Sequence, residues 1–386
     1  MSWEKVAIGD LCEITSSKRI FYSEYVELGV PFYRSKEIIE KTQGQEISEP
    51  LYISQGKYEE IKSRFGVPQV GDMLLTSVGT IGTAYIVKKE DYFYFKDGNL
   101  TWFRNFKKNL LSNYLYYWIT SSEGYSILNN TAIGSSQKAL TISALKGIIL
   151  PLPSIEEQKR IVEILATYDN LIENNQKQIK LLEEAAQRLY KEWFVDLRFP
   201  GYETTPIIDG VPQGWKKVSL GDIAPILTGK KDANYGTEDG KYPFFTCSQE
   251  PIKAPSYSFD TSAVILAGNG DFNVKLYRGR FEAYQRTYVL SPYDDKCLYL
   301  LYNAVNESMA VLVKGASGST IKFLTKGMIE SIPLFIPTDD LLTQYNSYSE
   351  AVQRKLESLK KAIKNAAEAR DRLLPKLMSG GMEVIG

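Results

Sequence analysis

Two short segments of the chain have nearly the same sequence, "GSSQKALT" at 134–141 and "GSTIKFLT" at 318–325. Each begins with glycine, continues with hydroxyl side chains and carries one lysine. A flexible backbone, hydroxyl donors and a cation are groups that bind phosphate oxygens. The alternative is that each glycine permits a turn which the hydroxyl groups cap. We predict phosphate contacts from the polar side chains of both segments, which are Ser135, Ser136, Gln137, Lys138, Ser319, Thr320 and Lys322.

A pair of adjacent cations is the second feature that occurs twice. The pairs are Lys18 with Arg19 and Lys230 with Lys231, and each follows the first strand-like segment of its half. Such pairs either contact a phosphate backbone or form an ordinary solvated surface. Because the pair is repeated, we predict backbone contact for both.

The composition excludes several kinds of chemistry. The chain has no histidine, which removes histidine-dependent triads, most zinc hydrolase sites and histidine acid–base catalysis. Its three cysteines are widely spaced and odd in number, so neither a disulfide framework nor a metal site is expected. No apolar stretch approaches the ~20 residues of a membrane helix. We predict a cytoplasmic protein without cofactor, metal or membrane contact.

Both features belong to an internal repeat of the 386-residue chain. "WEKVAIGD" (3–10) matches "WKKVSLGD" (215–222), an offset of 212 residues (215 − 3). From Gly134 and Gly318 onward the offset is 184 residues (318 − 134). The second copy is therefore shorter, and the missing residues lie inside its globular part.

Each copy shows the same order of predicted elements. Residues 72–88 alternate apolar runs with glycine turns, which predicts a hairpin, and residues 262–270 predict a strand followed by a turn. An aromatic helix is predicted at 113–119 and again at 297–305. A strand that ends at proline and a long helix complete each copy.

The two long helices carry a heptad pattern. They are predicted to begin near Ser154 and Thr338, good N-caps that acidic residues follow. Alternating spacings of four and three are typical of a coiled coil. Asn175 corresponds to Leu359, and it either fixes register in the seam or faces solvent where the helices diverge. The predicted seam comprises Ile161, Leu165, Ile172, Asn175, Ile179, Leu182, Leu189, Val352, Leu356, Leu359, Ile363 and Leu373.

The order globule, helix, globule, helix suggests a geometry. If the helices pair antiparallel, the globules would lie at opposite ends of a rod, related by an approximate two-fold axis. About 33 helical residues give a rod of about 50 Å, and half-sites one turn apart on DNA are separated by about 34 Å. The rod would then act as a ruler between half-sites. Geometry alone equally allows a scaffold that bridges two protein partners.

The chain resembles the specificity subunit of Type I restriction–modification systems over essentially its whole length. The resemblance is carried by "LPLPSIEEQKRIVEIL" (150–165), "EWFVDLRFPGYE" (192–203) and "DGVPQGWKKVSLGDI" (209–223). The second copy departs from the first of these, since "FIPTDDLLTQ" (335–344) lacks the Glu-Glu-Gln.

The resemblance implies an α/β fold with an internal pseudo-two-fold repeat. Two tandem α/β target-recognition domains are separated by a long antiparallel two-helix coiled coil. On this sequence the implied boundaries are 1–153 for the first recognition domain and 154–198 for the first spacer helix. A linker with the second recognition domain occupies 199–337, and the second spacer helix with the C-terminal tail occupies 338–386.

The resemblance also implies a function. Each recognition domain binds one half of a bipartite asymmetric site in double-stranded DNA, and the helices dock two modification subunits. Those subunits use S-adenosylmethionine to methylate adenine at N6, and restriction subunits add translocation and cleavage. The specificity subunit is not an enzyme. The sequence agrees, because it has neither an NPPY or DPPY motif nor a glycine-rich cofactor turn between strand and helix; this argues against a self-sufficient methyltransferase or nuclease.

Positions that read bases should differ between the two halves. Arginine can bind guanine through two hydrogen bonds, and asparagine or glutamine can bind adenine. Arginine and asparagine are also common on protein surfaces. The candidate base-reading residues are Arg34, Ser35, Thr80 and Asn99 in the first half, and Asn269, Asn273, Arg278, Arg280, Gln285 and Arg286 in the second.

Overall fold

A computed structural model describes residues 3–134, 138–318 and 322–382 of the chain. It divides into two compact units. The first unit comprises residues 1–175 and 361–386, and the second comprises residues 176–360. Each unit contains one α/β globule together with part of each long helix.

The first globule contains ten strands and five helices in its described residues. The strands are β1 Glu4–Ala7, β2 Glu13–Thr15, β3 Tyr25–Val26, β4 Val30–Tyr33, β5 Leu51–Ile53, β6 Met73–Thr76, β7 Ala84–Ile86, β8 Tyr94–Phe95, β9 Leu100–Arg104 and β10 Ile149–Leu152. The helices are α1 Ser35–Thr42, α2 Gln55–Phe65, α3 Ser112–Thr120, α4 Ser122–Thr131 and α5 Ile142–Gly147.

These strands form two four-stranded sheets and one pair. One sheet has the order β2-β9-β6-β7 and the other β3-β5-β4-β8, while β1 pairs with β10. The hairpin predicted over 72–88 is confirmed, because Met73 pairs with Ile86 and Leu75 with Ala84 in antiparallel register. In the second sheet β4 and β8 run parallel.

The second globule repeats this plan. The strands of the second unit are β11 Ile207–Ile208, β12 Val211–Pro212, β13 Lys216–Ser219, β14 Ile226–Thr228, β15 Tyr242–Phe245, β16 Ile252–Ala254, β17 Phe259–Ala267, β18 Val274–Ala283, β19 Thr287–Leu290 and β20 Pro333–Ile336. Apart from the two long helices, its α-helices are α7 Leu220–Ile223, α8 Leu298–Gly315 and α9 Lys326–Glu330 in the described residues. The long helices are α6 Ile155–Tyr190 and α10 Asp339–Met378.

The topology confirms the predicted repeat. The order β14-β19-β17-β18 matches β2-β9-β6-β7, and β13 pairs with β20 as β1 does with β10. Strand β15 runs parallel to β18 as β4 does to β8. In the second unit the long β18 joins both parts into one six-stranded sheet.

The shortening of the second copy has a structural explanation. In the first unit, α1 lies between β4 and β5, and α2 between β5 and β6. The described residues from β15 to β17 contain no helix. Loss of these two helices accounts for most of the difference in length.

The predicted aromatic helices lie in the cores of their units. In α3 the side chains of Tyr114, Leu115 and Trp118 are fully buried, and α8 buries Leu298 and Leu300 in the same way. The first copy divides into α3 and α4, and the Ser121 hydroxyl caps α4 by accepting the Gly124 N–H at 3.2 Å. Helix α8 continues unbroken.

Both long helices begin where predicted. The Ser154 hydroxyl accepts the Glu157 N–H at 3.3 Å, and the Glu157 carboxylate accepts the Ser154 N–H at 3.1 Å, which together form a capping box. Helix α10 begins directly after Thr338. Helix α6 continues into a π-helical turn at Lys191–Val195.

In the first unit the two long helices run antiparallel. Ile161 and Leu165, near the start of α6, share one apolar cluster with Leu374 and Leu377, near the end of α10. One turn further along α6, the Asp169 carboxylate accepts a hydrogen bond from Arg370 at 2.7 Å. It also accepts the Tyr117 hydroxyl at 2.6 Å, which ties α3 to both helices.

The second unit shows the same antiparallel pairing at the other ends of the helices. Trp193 and Phe194, in the π-helical turn, pack on Tyr345 near the start of α10, with ring centroids 5.9 and 4.8 Å apart. The predicted antiparallel arrangement is therefore present within each unit.

The predicted seam residues lie on the less exposed side of both helices. Asn175 and Leu359 are each only 5% exposed, so the solvent-facing alternative for Asn175 is wrong. Ile161, Leu165 and Leu356 are also buried. The half-buried members are Ile172, Ile179, Leu182, Leu189, Val352, Ile363 and Leu373.

Candidate nucleic-acid interface

The two glycine-lysine segments form equivalent loops. An isolated antiparallel β-bridge between Ile133 and Ala139 closes the first loop, and one between Ser317 and Phe323 closes the second. Gly134 has φ 97° and Gly318 has φ 104°, values in the left-handed region that glycine favours. The turn-forming role of both glycines is thus observed, while the phosphate contact remains a prediction.

The loop tips themselves are only partly described. Lys138 and Lys322 are exposed, and the Lys138 ammonium donates to the Asn129 side-chain oxygen at 3.0 Å. The remaining predicted contacts, Ser135, Ser136, Gln137, Ser319 and Thr320, lie outside the described residues.

Each loop packs against the end of the central strand of its sheet. Ala139 bridges to Val78 just after β6, and Phe323 bridges to Asn269 just after β17. The next residue of each loop donates its N–H to the same strand end: Leu140 to the Ser77 carbonyl and Leu324 to the Gly268 carbonyl, both at 2.8 Å. The repeat therefore places both loops at the same end of the sheet, where the central strand β6 or β17 ends. This end of the sheet is called the edge below.

Asn99 and Arg286 lie at this same edge. The Ser77 N–H donates to the Asn99 carbonyl, and the Gly268 N–H donates to the Arg286 carbonyl, each at 2.8 Å. Thr80, in the β6–β7 turn, is exposed here in the first unit. Gln285 is exposed beside Arg286 in the second.

The basic pairs also reach this edge. The Arg19 guanidinium donates to Asp97 at 2.9 Å, close to Asn99 in sequence. In the second unit the Lys231 carbonyl accepts the Gln285 N–H at 2.9 Å. Lys18, Arg19 and Lys230 are exposed, while Lys231 is half-buried with its ammonium over the Tyr235 ring. The Ser35 hydroxyl donates to the Asn99 carbonyl at 3.3 Å, so Ser35 lies at this edge as well.

Arg34 has a partner inside the chain. Its Nε donates to the carboxylate of Glu37 at 3.0 Å, and Glu37 is fully buried at the start of α1. This hydrogen bond raises the pKa of Arg34, and removal of the guanidinium would leave a buried carboxylate without a counter-ion. Arg34 therefore has a structural role that the sequence reasoning did not anticipate.

Asn269 and Asn273 belong to a polar network at the β17–β18 turn. The Cys247 thiol donates to the Asn269 side-chain oxygen at 2.9 Å, and the Asn273 amide donates to the Cys247 carbonyl at 3.0 Å. Lys275 donates to the Asn273 side-chain oxygen and to the Ser248 carbonyl. Burial lowers the pKa of Lys275. The network fixes the turn. It also occupies side-chain amide groups of Asn269 and Asn273 that a contact with a base would require.

Arg278 and Arg280 lie further along β18, away from the edge. They pair with Ser262 and Asp260, whereas the turn is next to the pair Leu266–Val274. The Arg280 guanidinium donates to Asp260 at 3.0 Å, which raises the pKa of Arg280, and Arg278 stacks over the Tyr299 ring. The fold does not bring these two arginines to the edge that gathers the other candidates.

A recess of about 490 Å³ opens beside Arg286. Tyr288 donates its hydroxyl to the Leu324 carbonyl at 2.8 Å, which joins β19 to the glycine-lysine loop. Sequence reasoning missed Tyr288, Phe323 and Lys326, although Phe323 lies within the repeated segment and Lys326 follows it directly. The recess is lined by Gly268, Gln285, Arg286, Tyr288, Phe323, Leu324, Thr325 and Lys326.

Two further features are absent from the described residues. These residues contain no cluster of three or more cysteine or carboxylate side chains with the geometry of a metal site. Their helices include none whose length and apolarity would allow it to span a bilayer. Cys12 is buried, and burial raises the pKa of its thiol to about 12, so the reactive thiolate is disfavoured there.

Comparison with known sequences defines the class of protein. The profile of the Type I restriction modification DNA specificity domain matches residues 1–184 and 212–367. The chain therefore belongs to this family. Its members are the specificity subunits of Type I restriction–modification systems, which are non-catalytic components of those systems. The resemblance seen in the sequence is confirmed.

Individual relatives agree with this assignment. The EcoDI specificity subunit of Escherichia coli is 39% identical over 170 residues, 41% of this chain and 37% of that protein. The MjaIX specificity subunit of Methanocaldococcus jannaschii is 28% identical over 99% of this chain and 94% of its own length.

A solved structure supports the fold. The crystal structure of the Type I system S subunit from M. genitalium superimposes with a TM-score of 0.62 at 16% identity, and the match covers 98% of this chain and 96% of that one. The α/β fold class with two globules and two long helices is thereby confirmed.

Proposed function

We propose that this chain selects the DNA target of a Type I restriction–modification complex. Each unit binds one half of a bipartite asymmetric site in double-stranded DNA. One observation carries the proposal: the same sheet edge is built twice, with a glycine-lysine loop and a basic pair in both copies but with Asn99 in one and Arg286 in the other. Common groups suit the common DNA backbone, and different side chains suit different half-sites.

The charge distribution is compatible with this role. The chain has 46 basic and 46 acidic residues, so its net charge does not itself favour DNA. The exposed cations Lys18, Lys138, Lys230 and Lys322 lie in the segments that form the two edges. DNA affinity then depends on local contacts and on the partner subunits.

We further propose that the long helices recruit the partners. Two modification subunits, which methylate adenine at N6, dock on α6 and α10, and restriction subunits join through the assembled complex. Exposed apolar side chains on α6 support the docking, since Leu171 is 45% and Leu181 64% exposed. The names of the relatives, all specificity subunits, support the assembly.

Methylome sequencing tests the proposed function. Cells without other adenine methyltransferases would express this chain with its modification subunit, and control cells would express the modification subunit alone. We expect one methylated motif with two unlike half-sites, a fixed spacer and methylation on both strands. A palindromic motif, or methylation that does not depend on this chain, would contradict the proposal.

The remaining rival is a scaffold that binds two proteins and no DNA. Footprinting of the purified complex with its modification subunits separates the two functions. We expect protection of both half-sites and of no unrelated duplex. A stable complex that protects no sequence would favour the scaffold.

A further inference from the structure

Asn99 and Arg286 occupy the same structural position in the two units. Each is the residue directly before the strand that pairs with the central strand, β9 in the first unit and β19 in the second. Each main-chain carbonyl accepts a hydrogen bond of 2.8 Å from the residue that follows the central strand. Their correspondence is therefore set by backbone hydrogen bonds and not by sequence similarity.

The groups around this position also correspond. The basic-pair segment adjoins the position, through Arg19 and Asp97 in the first unit and through Lys231 and Gln285 in the second. The glycine-lysine loop adjoins the same strand end, where Leu140 or Leu324 holds it. A side chain next to two predicted phosphate contacts is placed to reach the bases near those phosphates.

The chemistry at the position differs sharply between the units. In the second unit Arg286 and Lys326 bring two cations to the recess, and the rings of Tyr288 and Phe323 complete its wall. Helices α5 and α9 begin at Ile142 and Lys326, so these two residues correspond, as do Ala139 and Phe323. The first unit thus has an uncharged amide, Asn99, where the second has a guanidinium.

The Arg286 side chain is available for a ligand. It is exposed, and it forms no ion pair within the described part of the chain. This contrasts with Arg34 and Arg280, whose guanidinium groups are held by Glu37 and Asp260.

We infer that Asn99 and Arg286 are the corresponding base-reading residues of the two units, Asn99 binding an adenine and Arg286 a guanine. This inference rests on the proposed function. Guanine presents two acceptors, O6 and N7, in the major groove, which match the two donors of the arginine fork. Lys326, whose ammonium forms an ion pair with Glu330 at 3.5 Å, lines the same recess. Adenine presents a donor and an acceptor, which match the two ends of an asparagine amide.

The test uses the complete chain with its modification subunit. Arg286→Asn and Arg286→Lys are compared by methylome sequencing and by binding to duplexes substituted one base pair at a time. Arg286→Asn is expected to lower the preference for one guanine at least about tenfold, in one half-site only. Arg286→Lys should lower the same preference by a smaller factor, because an ammonium lacks the planar two-donor fork. Arg286→Lys keeps the charge, so its affinity for the unselected sequence should stay close to that of the original chain. Asn99→Ala should relax one adenine of the other half-site.

Arg64→Asn is the matched control. Arg64 is an exposed arginine of α2 that is ion-paired with Glu60 at 3.1 Å, and the motif should not change. Thermal melting of each variant checks folding, and binding measurements are read only for variants that melt as the original chain does.

The results that would contradict the inference differ from the result that would contradict the proposed function. If Arg286→Asn lowers affinity equally for every duplex, the residue contacts phosphate and the inference is wrong. An unchanged motif in all three interface variants also overturns it. In both cases the original chain still yields a bipartite motif; absence of any such motif instead contradicts the proposed function itself.

Discussion

At the scale of single residues, the candidate interface contains two kinds of polar side chain. Arg34 and Asn273 are held by partners within the chain, through Glu37 and through Cys247. Lys322 and Arg286 are exposed at the edge and form no ion pair among the described residues. Side chains of the first kind fix the shape of the surface, and those of the second kind are available to DNA.

The two loop lysines give a prediction at this scale. Lys138→Ala and Lys322→Ala should each weaken binding to all duplexes by a similar factor. Because each change removes one cation that displaces a counter-ion from DNA, the slope of log affinity against log salt should become shallower by about one. Filter binding or fluorescence anisotropy over a salt series measures both quantities.

Lys62→Ala serves as the control for these variants. Lys62 is an exposed lysine of α2 next to Glu59, so its loss should leave affinity and salt slope unchanged. A changed recognition sequence in the Lys138 or Lys322 variant would mean that the loops read bases.

At the scale of elements, the sequence predicted most of what repeats. The hairpin over 72–88, the aromatic helices and the helix start at Ser154 follow from local patterns, which nearby residues determine. Glu37, three residues after Arg34, could also have been recognised in the sequence as a capping residue at the N-terminus of α1.

The correspondence of Asn99 and Arg286 could not be predicted in this way. Their offset is 187 residues (286 − 99), which is neither of the two offsets visible in the sequence. The insertion of α1 and α2 between β4 and β6, and different turn lengths after them, shift the alignment before it reaches β9. Only the backbone hydrogen bonds of the folded sheets reveal the match.

Gln158 gives a prediction about how the first globule holds α6. Its fully buried side chain donates to the carbonyls of Asn109 and Pro153 at 2.8 and 3.0 Å, and it accepts the Leu111 N–H at 2.9 Å. Gln158→Leu would leave these groups unsatisfied. The free energy of unfolding of the first unit should fall by about 3 kcal/mol, as measured by hydrogen exchange.

Gln187→Leu is the matched control, because Gln187 is exposed on the same helix. Its effect should stay within about 0.5 kcal/mol. The residue that corresponds to Gln158 in the second copy is Leu342, which is 3% exposed in the apolar core of its unit. If Gln158→Leu lowered the free energy of unfolding no more than Gln187→Leu does, the hydrogen bonds of Gln158 would contribute little to stability.

At the scale of the whole molecule, the proposed ruler gives a third prediction. Seven residues would be inserted after Asn175 in α6 and seven after Lys360 in α10, which preserves the heptad seam. The added length is about 10 Å, or about three base pairs of duplex. The spacer in the methylated motif should change while both half-sites stay the same. An unchanged spacer, found by methylome sequencing, would contradict the ruler.

The buried tyrosines, together with the absence of histidine, predict how the stability of this protein depends on pH. Burial raises the pKa of Tyr33 and Tyr58 to about 12, whereas tyrosine in an unfolded chain titrates near 10. The folded state therefore binds protons that the unfolded state has lost, and stability falls as the pH rises from about 10 towards 12. Burial acts in the same direction on the pKa of Tyr114 and Tyr345.

Between about pH 6 and 8 few side chains of this chain titrate, so stability should be nearly constant there. Urea denaturation at constant ionic strength from pH 6 to 11 measures the profile. Each affected tyrosine should remove up to about 1.4 kcal/mol per pH unit above pH 10. A maximum or a steep change between pH 6 and 8 would contradict this prediction.

The first unit is built from both ends of the chain, and this has a consequence for its synthesis. Ile161 and Leu165 share their apolar cluster with Leu374 and Leu377, which leave the ribosome about 200 residues later. At about 5–20 residues per second, that interval lasts about 10–40 s. Throughout it the apolar stripe of α6 has no α10 to cover it. The first globule thus precedes the second along the chain but is completed after it, and a nascent chain that stops before α10 carries an uncovered helix face.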